Sequence, residues 1–402
     1  MRISFDTKLE EIKDYCDTSL SKYMRVIDVQ DKIPAEIYHD LIRLGLFVHD
    51  GPMWEIDGNH EIQRVFSVIK ILEVIGGTSP AVAKAVMDQN LGQIGMIRYW
   101  GAEKIKAYLG KIHKGEGQAA FLMTEPSSGS DIHKFSTIFT EIPGGYLLSG
   151  TKDWITGAEN RRYFVVVAKE EDSASNFGLF FVDRNEVDAS RIKISDRKQK
   201  LGLRGLGEHR VELSEVFIPS DNIVIPPGRG VIKKLMSQYN LKRCGQAAIS
   251  IGAAMSALRS GYNYLQERYQ ASGGIPFQNT QFILAEQYSR LDSIRDIAYV
   301  AARKTLFEGK SGAAAAIEKM AATEAAADCI SKVSQLCGAN GLSDKLPLER
   351  LYRDIRMFSI AGGASEVLKG NIYANLGSLL HAEHQISAPL PSVATEEVGV
   401  VA

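Results

Sequence analysis

The sequence predicts a mostly α-helical protein with a small β domain at its centre. Three changes of texture along the chain lead to that reading. Residues 1–118 carry apolar side chains at helical spacing. Residues 119–222 break into short β-branched and aromatic runs separated by turn residues. Residues 223–378 return to long helical patterns, and a tail at 379–402 reads as weakly structured.

Each segment has its own signals. In "IPAEIYHDLIRLGLF", Pro34 suits a first helical position and Ile37, Leu41 and Leu44 share a face. "HEIQRVFSVIKILEVIGG" repeats the pattern through Ile62, Phe66, Ile69 and Leu72, and Gly76-Gly77 is expected to end it. "TSP" then reads as the cap of the next helix. Further on, "GGYLLSG", "YFVVVAKE", "FGLFFVD" and "RIKI" read as strands. Leu284, Leu291, Ile294 and Ala298 mark a long helix, and the small residues of "CGQAAISIGAAMSALRSG" allow close helix packing.

Composition narrows the function. The 402 residues are 45% hydrophobic and 24% charged, an ordinary globular balance. Lys+Arg is 47 against 48 Asp+Glu, so nothing pulls the chain toward nucleic acid or an anionic membrane. No apolar run is long enough to span a bilayer, and "MRISFDTKLEEIKDYC" lacks the apolar core of a signal peptide. Cys16, Cys244, Cys329 and Cys337 form no metal or redox spacing, so a reduced, cytoplasmic setting is expected. "GLRGLG" has the wrong spacing for a dinucleotide fingerprint. "HAEH", with His381, Glu383 and His384, has no third ligand in view, so no metal is expected.

Three stretches carry chemistry. In "FLMTEPSSGSD", Phe121 to Asp131, Gly129 between serines permits a tight loop with exposed N–H groups, suited to phosphate or a polar ring edge; a capped turn would look the same. In "GTKDWITGAENRRYFVVVAK", Trp154 and Thr156 lie two residues apart on a strand, hence on one face. An indole beside a hydroxyl suits a flat aromatic cofactor, or simply a half-buried core. "KLGLRGLGEHRVELSEVFIP" closes the domain with another strand pair.

Taken together, these stretches resemble the acyl-CoA dehydrogenase family of flavoproteins. "MTEPSSGSD" is similar to that family's T-E-P-x-x-G-S-D loop and "GTKDWITGA" to its G-x-K-x-W-I-T-N-G segment. "KLGLRGLGEHRVELSEVFIP" resembles its G-x-R-x-S-x-T strand pair, and "QLCGANGLSDKLPLERLYRDIRMFSI" its Q-x-x-G-G-x-G-Y…E-x-P-x-x-R-x-x-R-D region. The likeness covers about residues 25–377, in order and at nearly the right spacing. It implies a helical domain, a β-barrel domain and a four-helix bundle, with FAD held between subunits of a homodimer or homotetramer.

The resemblance also implies roles. Phe121, Met123, Thr124, Gly129 and Ser130 would lie along the flavin, Trp154 and Ile155 would cover it, and Thr156 would bond near N5. Arg268 would reach a neighbouring subunit's FAD pyrophosphate, with Gln278, Gln335, Gly338, Ala364 and Glu366 at further cofactor positions. Arg243 matches an arginine lining the acyl site.

The departures fall at the chemistry. In this family a glutamate takes the α-proton of an acyl thioester while hydride leaves for the flavin. It stands in an E-G-T-x-[EQ]-I motif, and on "IAGGASEVL" that glutamate becomes Gly362. Some members carry the base in a D-L-E-R motif, where this chain reads "NLKR" and places Lys242. Both base positions lack a carboxylate. Lys242 would serve as base only if burial lowered its pKa strongly, and it would equally suit a substrate carboxylate. Glu366, one turn on, is a weaker substitute. The Gly362 N–H needs no side chain to polarise a thioester carbonyl. Loss of a positioned base costs about 10²–10⁴ in rate, so Gly362→Glu is expected to create or raise dehydrogenation if the rest of the acyl site is intact. Ala271 replaces a phenylalanine near FAD, Leu342 replaces an aromatic residue, and Leu206, Gly207 and Glu208 replace S-x-T.

The expected function is therefore an FAD-dependent dehydrogenase of an acyl thioester, on CoA or an acyl-carrier protein, in specialised biosynthesis and with an unusual base. The rival is a flavin monooxygenase or oxidase on the same scaffold, fed by a flavin reductase. A dehydrogenase would instead hand electrons to an electron acceptor. A non-enzymatic flavoprotein is the third reading.

Overall fold

The computed structural model describes residues 5–47, 60–173, 175–308 and 312–381. Glu383 and His384 of "HAEH", and the tail beyond, lie outside the described residues, as does the side chain of Ile62.

Seven helices come first: α1 (Phe5–Thr18), α2 (Met24–Gln30), α3 (Ala35–Arg43), α4 (His60–Thr78), α5 (Pro80–Asp88), α6 (Gln93–Trp100) and α7 (Glu103–His113). Ser79 caps α5, its hydroxyl accepting from the Val82 N–H at 3.3 Å with Pro80 next in line. Pro34 sits one residue earlier than expected, as the N-cap of α3 with extended ψ. Gly76 and Gly77 do not end α4, which continues to Thr78. They let α4 touch the backbone of the first C-terminal helix: a Cβ on Gly76 would lie 2.8 Å from the Ile249 carbonyl oxygen. Close helix approach, not termination, selected glycine there.

Eight strands follow in one sheet: β1 (Ala119–Leu122), β2 (Ile138–Ile142), β3 (Gly145–Thr156), β4 (Tyr163–Glu170), β5 (Phe177–Asp183), β6 (Ile192–Ile194), β7 (Glu208–Pro219) and β8 (Ile223–Gly228). The order is β6-β7-β3-β2-β4-β5-β8, with β1 pairing parallel to β4. The sheet runs past residue 222, because β8 pairs with β5. Pro226 and Pro227 hid that strand in the sequence, and the end of a sheet is where proline is tolerated. Apolar clusters cover both faces, one around Phe135, Tyr163 and Phe181, the other around Phe139, Phe164 and Phe180.

The chain then returns to helices: α8 (Val231–Ala271), α9 (Gln278–Glu308), α10 (Gly312–Cys337), α11 (Leu348–Phe358), α12 (Ser365–Ala374) and α13 (Leu376–His381). α8 packs on α4, α9 and α10, and one apolar core runs from α1 to α11. Gly362 and Gly363 are not inside a helix; they join α11 to α12 with φ of +79° and +100°.

Ionic bonds stitch the loop before β7 to distant helices. The Leu203 N–H donates to Asp354 at 2.6 Å and the Gly205 N–H to Asp31 at 2.7 Å, and Arg353 donates to the Leu201 carbonyl at 3.3 Å while it ties α11 to Asp28 of α2 at 2.6 and 2.8 Å. This loop delivers Glu208 to the site described next.

Candidate active site

The loop after β1 is locked to β3 by a fully buried ion pair. Glu125 meets Lys152 at 2.8 Å and accepts from the N–H groups of Ser136 and Thr137. Burial alone would raise the Glu125 pKa, but Lys152 and those N–H groups outweigh it and hold it at about 2. The Asp153 N–H adds a bond to the Thr124 carbonyl at 2.8 Å. So anchored, the loop leaves Gly129 and Ser130 exposed, Phe121 and Thr124 half-buried and Met123 buried.

On β3 the regular alternation fails. Lys152 pairs with Val211 and Ile155 with His209, so two residues of β3 face one of β7. Trp154 sits in this bulge at φ +58° and is 50% exposed. Its presentation to the surface comes from the bulge, not from two-residue spacing. Ile155 points into the sheet core, so only its backbone is free for a cofactor.

Thr156 opens onto a chain of buried charges. Its hydroxyl donates to Glu208 at 3.0 Å and accepts from Lys84 Nζ at 3.2 Å. Lys84 also meets Asp88 at 2.7 Å, and Asp88 meets Lys242 at 2.9 Å. Burial opposes ionisation of Asp88, yet Lys242 and Lys84 hold its carboxyl well below the usual range. Burial would lower the Lys242 pKa, but Asp88 raises it on balance. That corrects the expectation of Lys242 as a base: the ammonium is held charged and has no lone pair to offer. Glu208 lies at the other extreme. Burial, only partly offset by Lys84 and Lys200, pushes it up to about 7.

The empty base position has a physical reason. Arg243 Nε donates to the Gly362 carbonyl at 3.0 Å, and Lys319 Nζ donates to the Gly363 carbonyl at 2.7 Å. Two side-chain donors thus clamp consecutive carbonyls, while the N–H groups of Gly362, Gly363 and Ala364 meet no acceptor among the described residues. Burial, reinforced by Arg243, brings Lys319 down to about 7. A Cβ on Gly362 would lie 2.1 Å from Oε1 of Gln246 on α8. A side chain introduced at 362 would therefore have to displace the carboxamide end of Gln246.

The remaining predicted residues form a second group. Arg268 lies beside Cys337, and Gln335, Gly338 and Gln278 are exposed with it at the helix ends. Along α8, Arg268 is 25 residues from Arg243, about 37 Å at 1.5 Å per residue. The two arginines of one chain therefore stand at well-separated places along this helix. Ala364 and Glu366 open α12, with Glu366 exposed and not turned toward Gln246 or Asp88 by any bond among the described residues.

These residues fit FAD. An exposed indole offers a ring face, the open Gly129–Ser130 backbone offers donors, and Arg268 offers a guanidinium for a diphosphate. Sequence reading missed Lys84, Asp88, Lys319 and Gln246. Lys84 and Asp88 left one signal, charges four apart in the otherwise apolar "PAVAKAVMD". Gln246 left none, because its role depends on a glycine 116 residues away.

Comparison with known proteins agrees with this geometry. Residues 120–216 match the acyl-CoA dehydrogenase middle domain and residues 229–377 the acyl-CoA dehydrogenase C-terminal domain. The 3-sulfinopropanoyl-CoA desulfinase of Paraburkholderia xenovorans (strain LB400) is 31% identical over 316 residues, 77% of this chain and 80% of its own. Butyryl-CoA dehydrogenase from Megasphaera elsdenii superposes with a TM-score of 0.83 at 24% identity, covering 94% of this chain and 98% of that one. A glutaryl-CoA dehydrogenase from Mycobacterium smegmatis, solved in complex with FADH2, gives 0.81 at 20% identity over 95% and 96%. With both domain families matched in order and a relative above 30% identity across most of its length, the chain belongs to the acyl-CoA dehydrogenase family.

Proposed function

We propose that the protein is an FAD-dependent enzyme of acyl thioesters whose step at the α-carbon uses no side-chain carboxylate at the family's base positions. FAD is its cofactor and oxidoreductase chemistry its class. The carrying observation is the buried carboxamide of Gln246 standing where a side chain at 362 would project.

Bound FAD would supply a hydride acceptor; Thr124, Ser130, Trp154, Thr156 and a second subunit's Arg268 would hold it. The chain's own residues do the rest. The Gly362 N–H is free to polarise a thioester carbonyl, and Arg243 and Lys319 fix its direction by holding the next two carbonyls. Lys242 stays charged against Asp88. Glu318 is buried with neither oxygen bonded among the described residues, and burial pushes its carboxyl up to about 8.

Such a site suits a substrate with an already acidic α-position, or one in which a bond other than α-C–H breaks. The relative named for desulfination of 3-sulfinopropanoyl-CoA supports that reading, since its name describes loss of a sulfino group from an acyl-CoA. The carrier is CoA or an acyl-carrier protein, and the setting specialised metabolism.

The test follows the visible flavin band of purified protein anaerobically. Acyl-CoA and acyl-carrier thioesters form one arm, reduced nicotinamide cofactor with a flavin reductase the other. Bleaching by an acyl thioester supports the proposal. Bleaching through the reductase alone favours the oxygen-using alternative.

A further inference from the structure

Gln246 lies in the middle of α8, and 1% of its surface is exposed. Its Oε1 has no hydrogen-bond partner, and no bond to its Nε2 occurs among the described residues. The carboxamide lies against Gly362, whose Cα is so close that a Cβ would be 2.8 Å from Cδ and from Nε2 as well as 2.1 Å from Oε1. Gly362 itself is half-buried. A purely structural filler would be apolar: leucine or methionine occupies the same volume without desolvating an amide. A buried amide oxygen left unpaired is a standing cost, and it is recovered when a ligand supplies the missing donor.

We infer that Gln246 is the specificity-determining residue of the acyl site, and that its carboxamide selects thioesters bearing a hydrogen-bonding oxygen on the α- or β-carbon. The inference rests on the acyl-thioester reading above. Under it, residue 362 faces the carbons next to the thioester, so the group against residue 362 meets the substituent carried there. A carboxamide gives one acceptor and two donors, which matches a hydroxyl or a carboxylate-type oxygen equally. A plain alkyl thioester leaves both ends unpaired and is refused for that reason, as sites built to bond a polar group reject the analogue without it.

The test is anaerobic titration calorimetry of the FAD-loaded protein with butyryl-CoA, 3-hydroxybutyryl-CoA and malonyl-CoA, repeated on Gln246→Leu. Cofactor content and melting temperature are checked first, and Gln246→Met replaces the leucine variant if it loses either. The wild type should bind both oxygen-bearing thioesters about tenfold or more tighter than butyryl-CoA. The variant should lose that preference and bind butyryl-CoA at least as well as the wild type does. An unchanged ratio in the variant, or a wild-type preference for butyryl-CoA, overturns the assignment. If no CoA thioester gives heat with either FAD-loaded protein, the acyl-CoA reading falls and takes this one with it, an outcome distinct from an unchanged ratio.

Discussion

Oε1 of Gln246 and the missing Cβ of Gly362 contend for one volume, 2.1 Å apart if both were present. Glycine at 362 is thus the partner of glutamine at 246, and φ of +79° adds a backbone reason for it. Gly362→Ala is expected to lower stability by about 2–3 kcal/mol through overpacking and left-handed strain. Urea unfolding of both proteins measures it, and a change below about 0.5 kcal/mol would mean that Gln246 moves aside freely. A carboxylate enters this volume through Gln246→Glu, which keeps the side chain's shape. That variant should exchange the α-proton of butyryl-CoA with deuterated water where the wild type does not.

Glu208 makes stability depend on pH. Its folded pKa is raised to about 7, so the unfolded chain releases this proton well before the folded one does. Its contribution is therefore full at low pH and lost as pH rises toward 7, by roughly 3 kcal/mol. Lys84, Lys200, Asp88 and Thr156 surround it. Glu208→Gln keeps a partner for Thr156 and removes the titration. The stability difference between wild type and variant, from denaturant midpoints of the apoprotein at pH 5 and pH 8, should change in the variant's favour. Parallel curves would show that Glu208 ionises normally.

Trp154 and Arg268 are exposed and carry little of the fold. Trp154→Ala and Arg268→Ala should each release FAD during purification, with affinity down about tenfold, while the melting temperature of the apoprotein stays within 2 °C or so of wild type. The ratio of flavin to protein absorbance reads this directly. Full cofactor content in both variants would remove these residues from the cofactor site.

Much of the fold was legible because it rests on local signals. The Ser79-Pro80 cap, the apolar stripes of α3 and α9 and the β-branched runs of β4 and β5 are each written within a dozen residues. The misreadings share one cause: their meaning depends on distant residues. Gly76 is glycine because of Ile249, β8 is a strand because β5 accepts it, and Trp154 is turned outward because β7 supplies one residue where β3 supplies two. Within the site, the motif residues were legible and the groups that tune them were not. Lys242 reads as a possible base until its neighbour Asp88 is seen, and Gly362 reads only as a base position without its carboxylate until the Gln246 carboxamide beside it is seen.

The loop at Leu203–Gly205 has a consequence for how the molecule assembles. Its bonds join residues 151 apart between Leu203 and Asp354, and 174 apart between Gly205 and Asp31, while Arg353 reaches Asp28 across 325. Contacts of that separation close large loops and form late. The strands and the long helices are thus expected to form before the loop that carries Glu208 is pinned. In pulse-labelled hydrogen exchange, the amides of Leu203 and Gly205 should gain protection after those of β4 and α8, so that cofactor capture becomes the closing event of folding.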